Sequence, residues 1–419
     1  MCSRREPGAL RQPASTPYLR MHLDGLERRY ARFSSAFPGV DVHFAMKCNN
    51  DRSVLSCLHR HGCKFEIASA AELDVLLGLG VRAAQVLFSN PVKTPADIRR
   101  AAQAGVWRFA CDSSAELHKI ASVAPNAAVY LRLAVAAGGS VVASEGKFGI
   151  DARTVIGLAL KARRLRLDVH GLTFHVGSQM LQPDAWAAAI AECGEIMRQL
   201  QRHDIVISMV DIGGGFPARY DADVPPLEVI GGAVTEAIAT DLPYTVHVVA
   251  EPGRSLVAEC GEMVSTVIGI AERGGRRWLH LDVGAFNGLM EYLETSNQLP
   301  YPITDSIHSE LTVLSQLTGP SCDSQDTILF DVALSAELAV GDQVVIGSAG
   351  AYTTAYASHF NGCDIPYVVA VTSNNKITAS ARRGPQTSLP PRRDEQFTAP
   401  SVNSKAALRC APPDLPSRP

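Results

Sequence analysis

The sequence predicts an α/β fold: an N-terminal parallel (β/α)8 barrel of the TIM type, followed by an all-β domain. Between residues 42 and 253, a short apolar run, a few polar or glycine residues and a segment of helical periodicity recur eight times. After residue 254, short β-like runs separated by Gly, Pro and Asp replace this alternation. An open doubly wound sheet is the alternative for the first region, because short apolar runs do not by themselves define a closed barrel.

The eight candidate barrel strands are short apolar runs that mostly end in polar residues or glycine. In chain order they are VHFAMK (42–47), KFEIAS (64–69), QVLFSN (85–90), WRFACD (107–112), VYLRLAV (129–135), VHGLTFHVGS (169–178), VISMVDIGGG (206–215) and TVHVVAEPG (245–253). The segments between them, such as SAAELDVLLGLG and TPADIRRAAQAG, repeat apolar residues at helical spacing, and many begin with Ser, Thr or Asp as helix caps. Each run and the segment after it therefore form one predicted strand and helix unit.

The second region predicts a C-terminal β-sandwich or barrel-like domain. Its apolar runs are EMVSTVIGIAE, RRWLHLDV, DTILFDVAL, GDQVVIGSA and IPYVVAVT. We place the predicted domain limits at 1–22 for an N-terminal arm available to join the β domain, 23–254 for the barrel, 255–376 for the β domain and 377–419 for a tail. The tail is rich in Pro and Arg and has little apolar periodicity, so we expect it to be disordered.

Composition favours a protein that binds small molecules in a reducing compartment. A formal net charge of −3 with interspersed signs leaves no basic face for nucleic acid and no polybasic patch for a membrane. The ten cysteines lack the CxxC spacing of a zinc site, the N-terminus lacks the apolar core of a signal peptide, and no apolar run reaches the roughly 20 residues of a membrane span. We therefore expect a cytoplasmic protein with reduced thiols and no metal site.

The reacting groups of a parallel barrel collect at the C-terminal ends of its strands. At those ends the sequence has Lys47, Glu66 with Ser69, Asn90, Asp112, Arg132, His175 with Ser178, Gly213 to Gly215, and Glu251 to Arg254. A polar rim is common at any barrel mouth, so the informative part is the combination of a lysine, an imidazole, a triple glycine and a carboxylate beside an arginine. Lysine is rarely buried without a partner, so Lys47 either reaches solvent or its amine is used.

Two glycine-containing motifs extend this combination. DIGGGFP (211–217) follows an apolar run and can present backbone N–H groups to a phosphate, although a triple glycine is more often only a flexible turn. EPGRS (251–255) adds an anion-binding Arg254 three residues after Glu251, a pair that alone would indicate a surface ion pair. Together, an amine, a phosphate-binding turn, a flat imidazole and a carboxylate for a pyridine nitrogen indicate a pyridoxal phosphate site.

The motifs as a series resemble the barrel-type pyridoxal phosphate-dependent decarboxylases of the alanine-racemase-like fold, and within them the ornithine decarboxylase group. The matching motifs, spread from about residue 16 to about residue 375, are FAMKCN, FEIASAAEL, KFG, FHVGSQ, DIGGGFP, AEPGRS, GPSCDSQD and GAYTTAYASHFNG. The resemblance implies decarboxylation of L-ornithine to putrescine and CO2 in polyamine biosynthesis, with pyridoxal 5'-phosphate (PLP) as cofactor.

Carried over onto this sequence, the resemblance implies a division of roles at the cofactor. Lys47 forms the internal aldimine, His175 stacks on the cofactor ring, and Glu251 pairs with the pyridine nitrogen. The other residues that the resemblance places around the cofactor are Arg132, Ser178, Gly213, Gly214, Gly215, Gly253, Arg254 and Tyr352, with Glu72 at a polar position that lines the site.

The motif GPSCDSQD (319–326) carries the substrate-directed residues that the resemblance implies. Cys322 matches the residue that returns a proton to the substrate α-carbon, and Asp323 matches the one that binds the distal amine. A thiol can supply that proton, and a carboxylate can select an ammonium group by a charge-assisted hydrogen bond. Both residues would enter the site from the partner subunit, so the resemblance also implies a head-to-tail homodimer with active sites shared across the interface.

The sequence departs from the ornithine decarboxylase pattern at two places. Glu66 stands where the family commonly has Asp, and no specific role is transferred to it. The segment YPITDSIHSEL (301–311) stands where the animal enzymes have a Tyr-Asp pair, with Tyr301 and Asp305 as candidate substrate ligands.

Other activities of the same fold remain as alternatives. Diaminopimelate decarboxylase shares the lysine and the EPGRS motif, but it typically has Glu where this chain has Asp323. L-Lysine and L-2,4-diaminobutyrate are alternative substrates for the same chemistry. A non-catalytic decarboxylase-like regulator is the alternative from another class; such proteins tend to lose cofactor residues, which this chain retains.

Overall fold

The computed structural model describes residues 15–136, 138–142, 146–296 and 298–373, and the backbone of 377–379. Its strands are β1 (Tyr18–His22), β2 (Val40–Ala45), β3 (Lys64–Ile67), β4 (Val86–Phe88), β5 (Arg108–Cys111), β6 (Ala128–Arg132), β7 (Ser140–Val142), β8 (Asp168–Thr173), β9 (Ser178–Met180), β10 (Met209–Asp211), β11 (His247–Ala250), β12 (Gly261–Arg273), β13 (Arg276–Leu281), β14 (Ile303–Asp305), β15 (Thr312–Thr318), β16 (Thr327–Ser335), β17 (Gln343–Ile346), β18 (Tyr367–Val371) and β19 (Ile377–Ala379).

Ten α-helices accompany these strands in the described residues. They are α1 (Leu23–Ala36), α2 (Arg52–Arg60), α3 (Ala70–Leu77), α4 (Pro95–Ala104), α5 (Ser114–Val123), α6 (Ala152–Arg164), α7 (Asp184–Gln201), α8 (Leu227–Asp241), α9 (Arg254–Val257) and α10 (Glu291–Glu294). None of the described helices has the length and apolar character required to cross a membrane. The eight cysteines of the described residues are free thiols.

Eight parallel strands close into a barrel in the order β2, β3, β4, β5, β6, β8, β10 and β11, and β11 pairs with β2 to complete it. Each predicted apolar run overlaps one of these strands, so the barrel prediction is confirmed and the open-sheet alternative is wrong. Because all eight strands run in one direction, their C-terminal ends meet at one face of the barrel. The polar strand ends of the sequence therefore converge there.

Side-chain caps define where the outer helices begin. Asp51, Ser69, Thr94, Ser113 and Asp151 each accept a hydrogen bond from a backbone N–H two or three residues further along, at 2.8 to 3.2 Å. These five residues precede α2, α3, α4, α5 and α6. The caps limit the length of the loops that follow the barrel strands, and those loops carry the polar residues of the mouth.

A second, mostly antiparallel sheet of nine strands follows the barrel in the sequence. All five predicted β runs lie in it, as β12, β13, β16, β17 and β18, whereas the pattern did not indicate β14 and β15. β1 joins this sheet between β12 and β18, so the N-terminal arm contributes a strand. Ile377–Ala379, which the sequence pattern assigns to the tail, form β19 beside β18; residues 380–419 lie outside the described residues.

A loop that follows β17 connects the second sheet to the barrel mouth. The backbone N–H of Tyr352 donates to the carbonyl of Cys48 at 2.8 Å, and the side-chain amide of Asn49 donates to the carbonyl of Gly350 at 2.8 Å. Cys48 and Asn49 directly follow Lys47. The second sheet therefore supports the backbone on which the predicted reactive lysine lies.

Candidate active site

Two adjacent cavities lie at the C-terminal ends of the barrel strands. The larger has a volume of about 500 Å³ and the smaller about 50 Å³. Lys47, Glu66, His175 and Glu251 line both cavities. Four residues from four different strand ends are therefore shared by two neighbouring cavities, which together form the candidate active site.

Lys47 reaches the cavities because of the turn on which it lies. β2 ends at Ala45, and Met46–Cys48 form a single 3-10 turn. The residues on either side of Lys47 in this turn are buried, whereas Lys47 is exposed. The backbone thus presents one amine at the strand end, which answers how a lysine is accommodated after an apolar run.

His175 follows β8 and enters both cavities as a neutral ring. Burial, together with the positive charges of Lys47 and Arg132, lowers the pKa of His175 to about 3. A neutral imidazole at this position offers a flat face and no charge. This arrangement suits stacking against an aromatic ring better than holding an anion.

Acid should destabilise the cofactor-free protein through His175. The folded state holds its pKa at about 3, against 6.5 for the ordinary side chain, so below pH 6.5 the unfolded state binds the additional proton. Between about pH 7 and about pH 5.5, the wild type should lose on the order of 1 kcal/mol more unfolding free energy than His175→Gln. Urea unfolding measures this difference. His203→Gln, at an exposed histidine, should follow the wild type, and equal losses in all three proteins would contradict the neutral His175 ring.

Glu251 is fixed by polar groups from other strands. The Ser89 hydroxyl, just after β4, donates to Glu251 Oε1, and the Tyr130 hydroxyl lies 2.8 Å from Ser89 Oγ. The backbone N–H of Glu251 donates to the carbonyl of Gly213 at 2.7 Å. The carboxylate therefore has one defined position at the cavity wall.

Two further carboxyl groups lie close to Glu251. Burial, followed by the charge of Glu251, raises the pKa of Glu66 and of Asp211 well above the ordinary range. Asp211 also accepts hydrogen bonds from the Gly213 N–H and the Thr173 hydroxyl, each at 2.9 Å. Three carboxyl groups so close together resist ionising at the same time, and a cationic group in the cavity, such as a protonated ring nitrogen, would relieve that repulsion.

The triple glycine turn requires glycine for steric reasons. Gly213 and Gly215 have φ of 64° and 97°, which disfavour other residues. A Cβ on Gly214 would lie 2.7 Å from the carbonyl oxygen of Glu251, and one on Gly213 would overlap the carbonyl oxygen of Phe174. Gly214 and Gly215 line the smaller cavity, so their backbone borders its interior.

Arg254 lies at the start of α9 and lines the smaller cavity together with Ser178, Gly253 and Tyr352. Its guanidinium is buried and its Nε has no hydrogen-bond partner in the described residues. A buried unpaired N–H beside a small cavity indicates a ligand with an oxygen acceptor, because an unsatisfied buried donor is costly.

The larger cavity has a positively charged wall. Arg132 ends β6, and both it and Lys147 line this cavity with Phe148. The Arg132 guanidinium lies 5.3 Å and the Lys147 ammonium 5.0 Å from the centre of the Phe148 ring. The KFG motif of the sequence thus contributes one cation and one aromatic ring to the wall.

Cys322 and Asp323 lie on the turn between β15 and β16, and neither lines either of these two cavities. Both side chains are exposed. The turn is held by Asp326, whose buried carboxylate accepts the backbone N–H groups of Ala285 at 2.7 Å and Ser321 at 2.9 Å. The last aspartate of GPSCDSQD is therefore structural, and the turn presents the exposed pair on a fixed backbone.

Three other residues expected near the substrate have different partners. Asp305 is kept within the second sheet, where its carboxylate accepts the Ser335 hydroxyl and backbone N–H at 2.8 Å. Tyr301 is buried and donates its hydroxyl to Glu291 at 3.0 Å. Glu72 accepts a hydrogen bond of 2.6 Å from a backbone N–H just before α3, so it acts as a helix cap. None of the three lines either cavity.

The fold and the cavity together define a class: barrel enzymes that hold a phosphorylated cofactor by its ring and its phosphate. Residues 23–258 match the protein family described as pyridoxal-dependent decarboxylase, pyridoxal binding domain. The chain therefore belongs to this family of PLP-dependent decarboxylases and is a carboxy-lyase.

Named relatives extend this comparison. The chain is 33% identical over 367 residues to a lysine/ornithine decarboxylase of Selenomonas ruminantium, covering 86% of this chain and 91% of the relative. A structure of lysine/ornithine decarboxylase from Vibrio vulnificus with cadaverine has 33% identity and a TM-score of 0.78, over 85% of this chain and 92% of that one. The arginine decarboxylase of Paramecium bursaria Chlorella virus, bound to agmatine, has 29% identity and a TM-score of 0.79, over 86% and 97%.

The described residues fit PLP. Arg254, whose Nε has no hydrogen-bond partner among the described residues, lines one small cavity with Gly214 and Gly215, and a phosphate requires such donors. Glu251 offers a fixed carboxylate to a ring nitrogen, and Lys47 offers an amine to an aldehyde. The donor set therefore matches the phosphate, the ring nitrogen and the aldehyde of the cofactor.

Proposed function

We propose that this enzyme decarboxylates L-ornithine to putrescine and CO2. The observation that carries the proposal is the cavity lined by Lys47, His175 and Glu251, in a chain whose exposed Asp323 offers one carboxylate to a distal ammonium group. Similarity to relatives named lysine/ornithine decarboxylase supports a basic amino acid as the substrate.

The residues around the ring have separate tasks in this proposal. When bound, PLP accepts the electrons that the departing carboxylate leaves behind. Lys47 would hold the cofactor aldehyde through its amine, and the neutral His175 ring would pack against the cofactor face. Glu251, fixed by Ser89, keeps a proton on the pyridine nitrogen. Arg132 places a positive charge near the substrate carboxylate.

The phosphate would occupy the smaller cavity. The groups proposed to hold it are the backbone of Gly213, Gly214, Gly215 and Gly253 and the side chains of Ser178, Arg254 and Tyr352. They come from the ends of three barrel strands and from the second sheet. Anchoring the phosphate in this way fixes the cofactor ring relative to Lys47, which is the positional requirement of the reaction.

A head-to-tail homodimer completes the site in this proposal. Cys322 and Asp323 are exposed on a turn held by Asp326 and line neither of the two cavities described above. A second copy would insert this turn into the mouth of the larger cavity. The Cys322 thiol would then return a proton to the α-carbon, and Asp323 would bind the distal amine.

The substrate is tested by CO2 release from a panel of L-ornithine, L-lysine, L-2,4-diaminobutyrate, L-arginine and meso-diaminopimelate with PLP present. We expect the highest kcat/KM for L-ornithine. A preference for L-lysine or L-2,4-diaminobutyrate would keep the mechanism and change the pocket length. A preference for meso-diaminopimelate would contradict the proposed role of Asp323. That substrate carries a second carboxylate next to its distal ammonium group, and Asp323 would repel it.

Asp323→Ala should weaken substrate recognition without loss of cofactor. Removal of one charge-assisted hydrogen bond should lower kcat/KM for L-ornithine by about 10- to 100-fold. Steady-state kinetics and the absorbance of bound PLP measure the two effects separately. Ser324→Ala, at the exposed neighbour on the same turn, is the matched control and should resemble the wild type. Loss of PLP from Asp323→Ala would place this residue at the cofactor instead.

A further inference from the structure

The guanidinium of Arg254 is held end-on by Glu291. Nη1 donates to Glu291 Oε2 at 2.7 Å and Nη2 donates to Oε1, so the two side chains form a bidentate ion pair. Nη1 also donates to the Tyr220 hydroxyl at 2.5 Å. Both charged side chains are only 5% exposed, so water screens the pair very little.

A second edge of the same guanidinium is left for a ligand. Nε has no partner in the described residues, and Nη2 carries a second hydrogen on the Nε side of the group. Two parallel N–H groups on one edge match two oxygens of a phosphate. Because Arg254 lines the smaller cavity with Gly214 and Gly215, this edge is the one available to a phosphate there.

Glu291 is itself fixed by aromatic residues. The Tyr301 hydroxyl donates to Glu291 Oε2 at 3.0 Å, and the Tyr220 and Tyr301 rings meet edge to face with centroids 4.7 Å apart. The Tyr352 ring lies 4.8 Å from the Arg254 guanidinium carbon. These tyrosine side chains restrict the ion pair to one orientation. Their packing also explains why Tyr301 is buried although it lines neither cavity.

We propose that Glu291 is the positioning residue for the cofactor phosphate. By holding Arg254 end-on, it directs the Nε edge of the guanidinium toward the triple glycine turn. Tyr301 supports the same arrangement through its hydroxyl, so the segment around residue 301 acts on the phosphate end of the site. The inference rests on the proposed role of Arg254 as a phosphate ligand.

Two other roles for Glu291 lead to different measurements. If the carboxylate only neutralises a buried guanidinium, its loss lowers stability and leaves the PLP affinity of the folded protein unchanged. If it competes with the phosphate for Arg254, its loss strengthens PLP binding. A positioning role predicts weaker PLP binding. A guanidinium that Glu291 does not hold would turn to other acceptors and lose its two-point contact with the phosphate.

Glu291→Gln preserves the shape of the side chain and removes its charge. We expect PLP binding to the folded protein to weaken by about tenfold, with kcat at saturating PLP within about threefold of the wild type. Phosphorus NMR of bound PLP across a pH series should show a shifted titration of the phosphate. Glu291→Asp should recover part of the affinity, and Glu294→Gln, at the exposed glutamate of the same helix, should bind PLP like the wild type.

Tyr301→Phe keeps the inference testable if Glu291→Gln fails to fold. It removes only the hydroxyl that orients Glu291, and we expect PLP binding to weaken by about threefold. Unchanged or stronger PLP binding, with a wild-type phosphate titration, in the folded variants would overturn the inference. The readout does not depend on the substrate, so a protein that binds PLP in this way but leaves L-ornithine intact would contradict only the proposed function.

Discussion

Lys47→Ala is expected to abolish decarboxylation and to remove the visible absorbance of the PLP-bound protein. Lys47 is the lysine that lines both cavities, and the backbone turn that carries it is anchored on the loop containing Tyr352. Without this amine the cofactor aldehyde has no covalent attachment, so we expect kcat to fall by about a thousandfold or more. Absorbance spectra and CO2 release, recorded on protein whose fold is checked by circular dichroism, measure both effects.

Lys147→Ala is the matched control for this substitution. Lys147 lines only the larger cavity and packs against Phe148, so its loss should leave the visible absorbance in place. If Lys147→Ala removes the absorbance and Lys47→Ala does not, the two lysines have been assigned the wrong roles. A wild-type protein that remains colourless with added PLP would instead favour a decarboxylase-like protein that lacks catalysis.

The sequence predicted which strand-end residues lie together at the barrel mouth, for a geometric reason. Lys47, His175 and Glu251 each follow an apolar run, and parallel strands in a closed barrel must bring their C-terminal ends to one face. Recognition of eight strand and helix units was therefore enough to predict that residues over 200 positions apart would line one cavity. No side-chain detail was needed for that step.

The supporting residues could not be predicted in the same way, because their roles depend on pairs formed across the fold. Ser89 fixes Glu251 from a different strand, and Glu291 holds Arg254 from a short helix after the barrel. Nothing in the local pattern around either donor or acceptor indicates its partner. Glu66 was visible as a departure from the family pattern, but its burial beside Glu251 emerged only in three dimensions.

The segment around residue 301 has partners in the structure that its sequence pattern did not indicate. A tyrosine and an aspartate four residues apart suggested substrate ligands, yet Asp305 lies in β14 and accepts hydrogen bonds from Ser335 within the second sheet. The Tyr301 hydroxyl donates a hydrogen bond to Glu291. Short strands such as β14, with three residues, carry too little periodicity to reveal which side chains point inward.

Cys322→Ala should slow product formation and change the product. If the Cys322 thiol returns the proton to the substrate α-carbon, its removal should lower the rate of putrescine release from L-ornithine by about a hundredfold. If the proton were delivered to the cofactor instead, hydrolysis by water would release an amino-aldehyde and leave the substrate nitrogen on the cofactor as an amine. Chromatography of the products and single-turnover rates measure both changes. Cys363→Ala, a partly exposed cysteine of the same domain, should retain the wild-type rate and product; an equal result for Cys322→Ala would exclude its proton transfer.

Mixing the Lys47→Ala and Cys322→Ala proteins tests whether the site is shared between subunits. If each site uses Lys47 of one chain and Cys322 of another, random reassociation should restore about a quarter of the wild-type sites, because half of the dimers are mixed and each mixed dimer has one intact site. Activity of the mixture after reversible dissociation, compared with each parent alone, gives the result. If the subunits exchange and activity does not recover, Lys47 and Cys322 act within one chain, and the exposed turn held by Asp326 would have to serve another purpose.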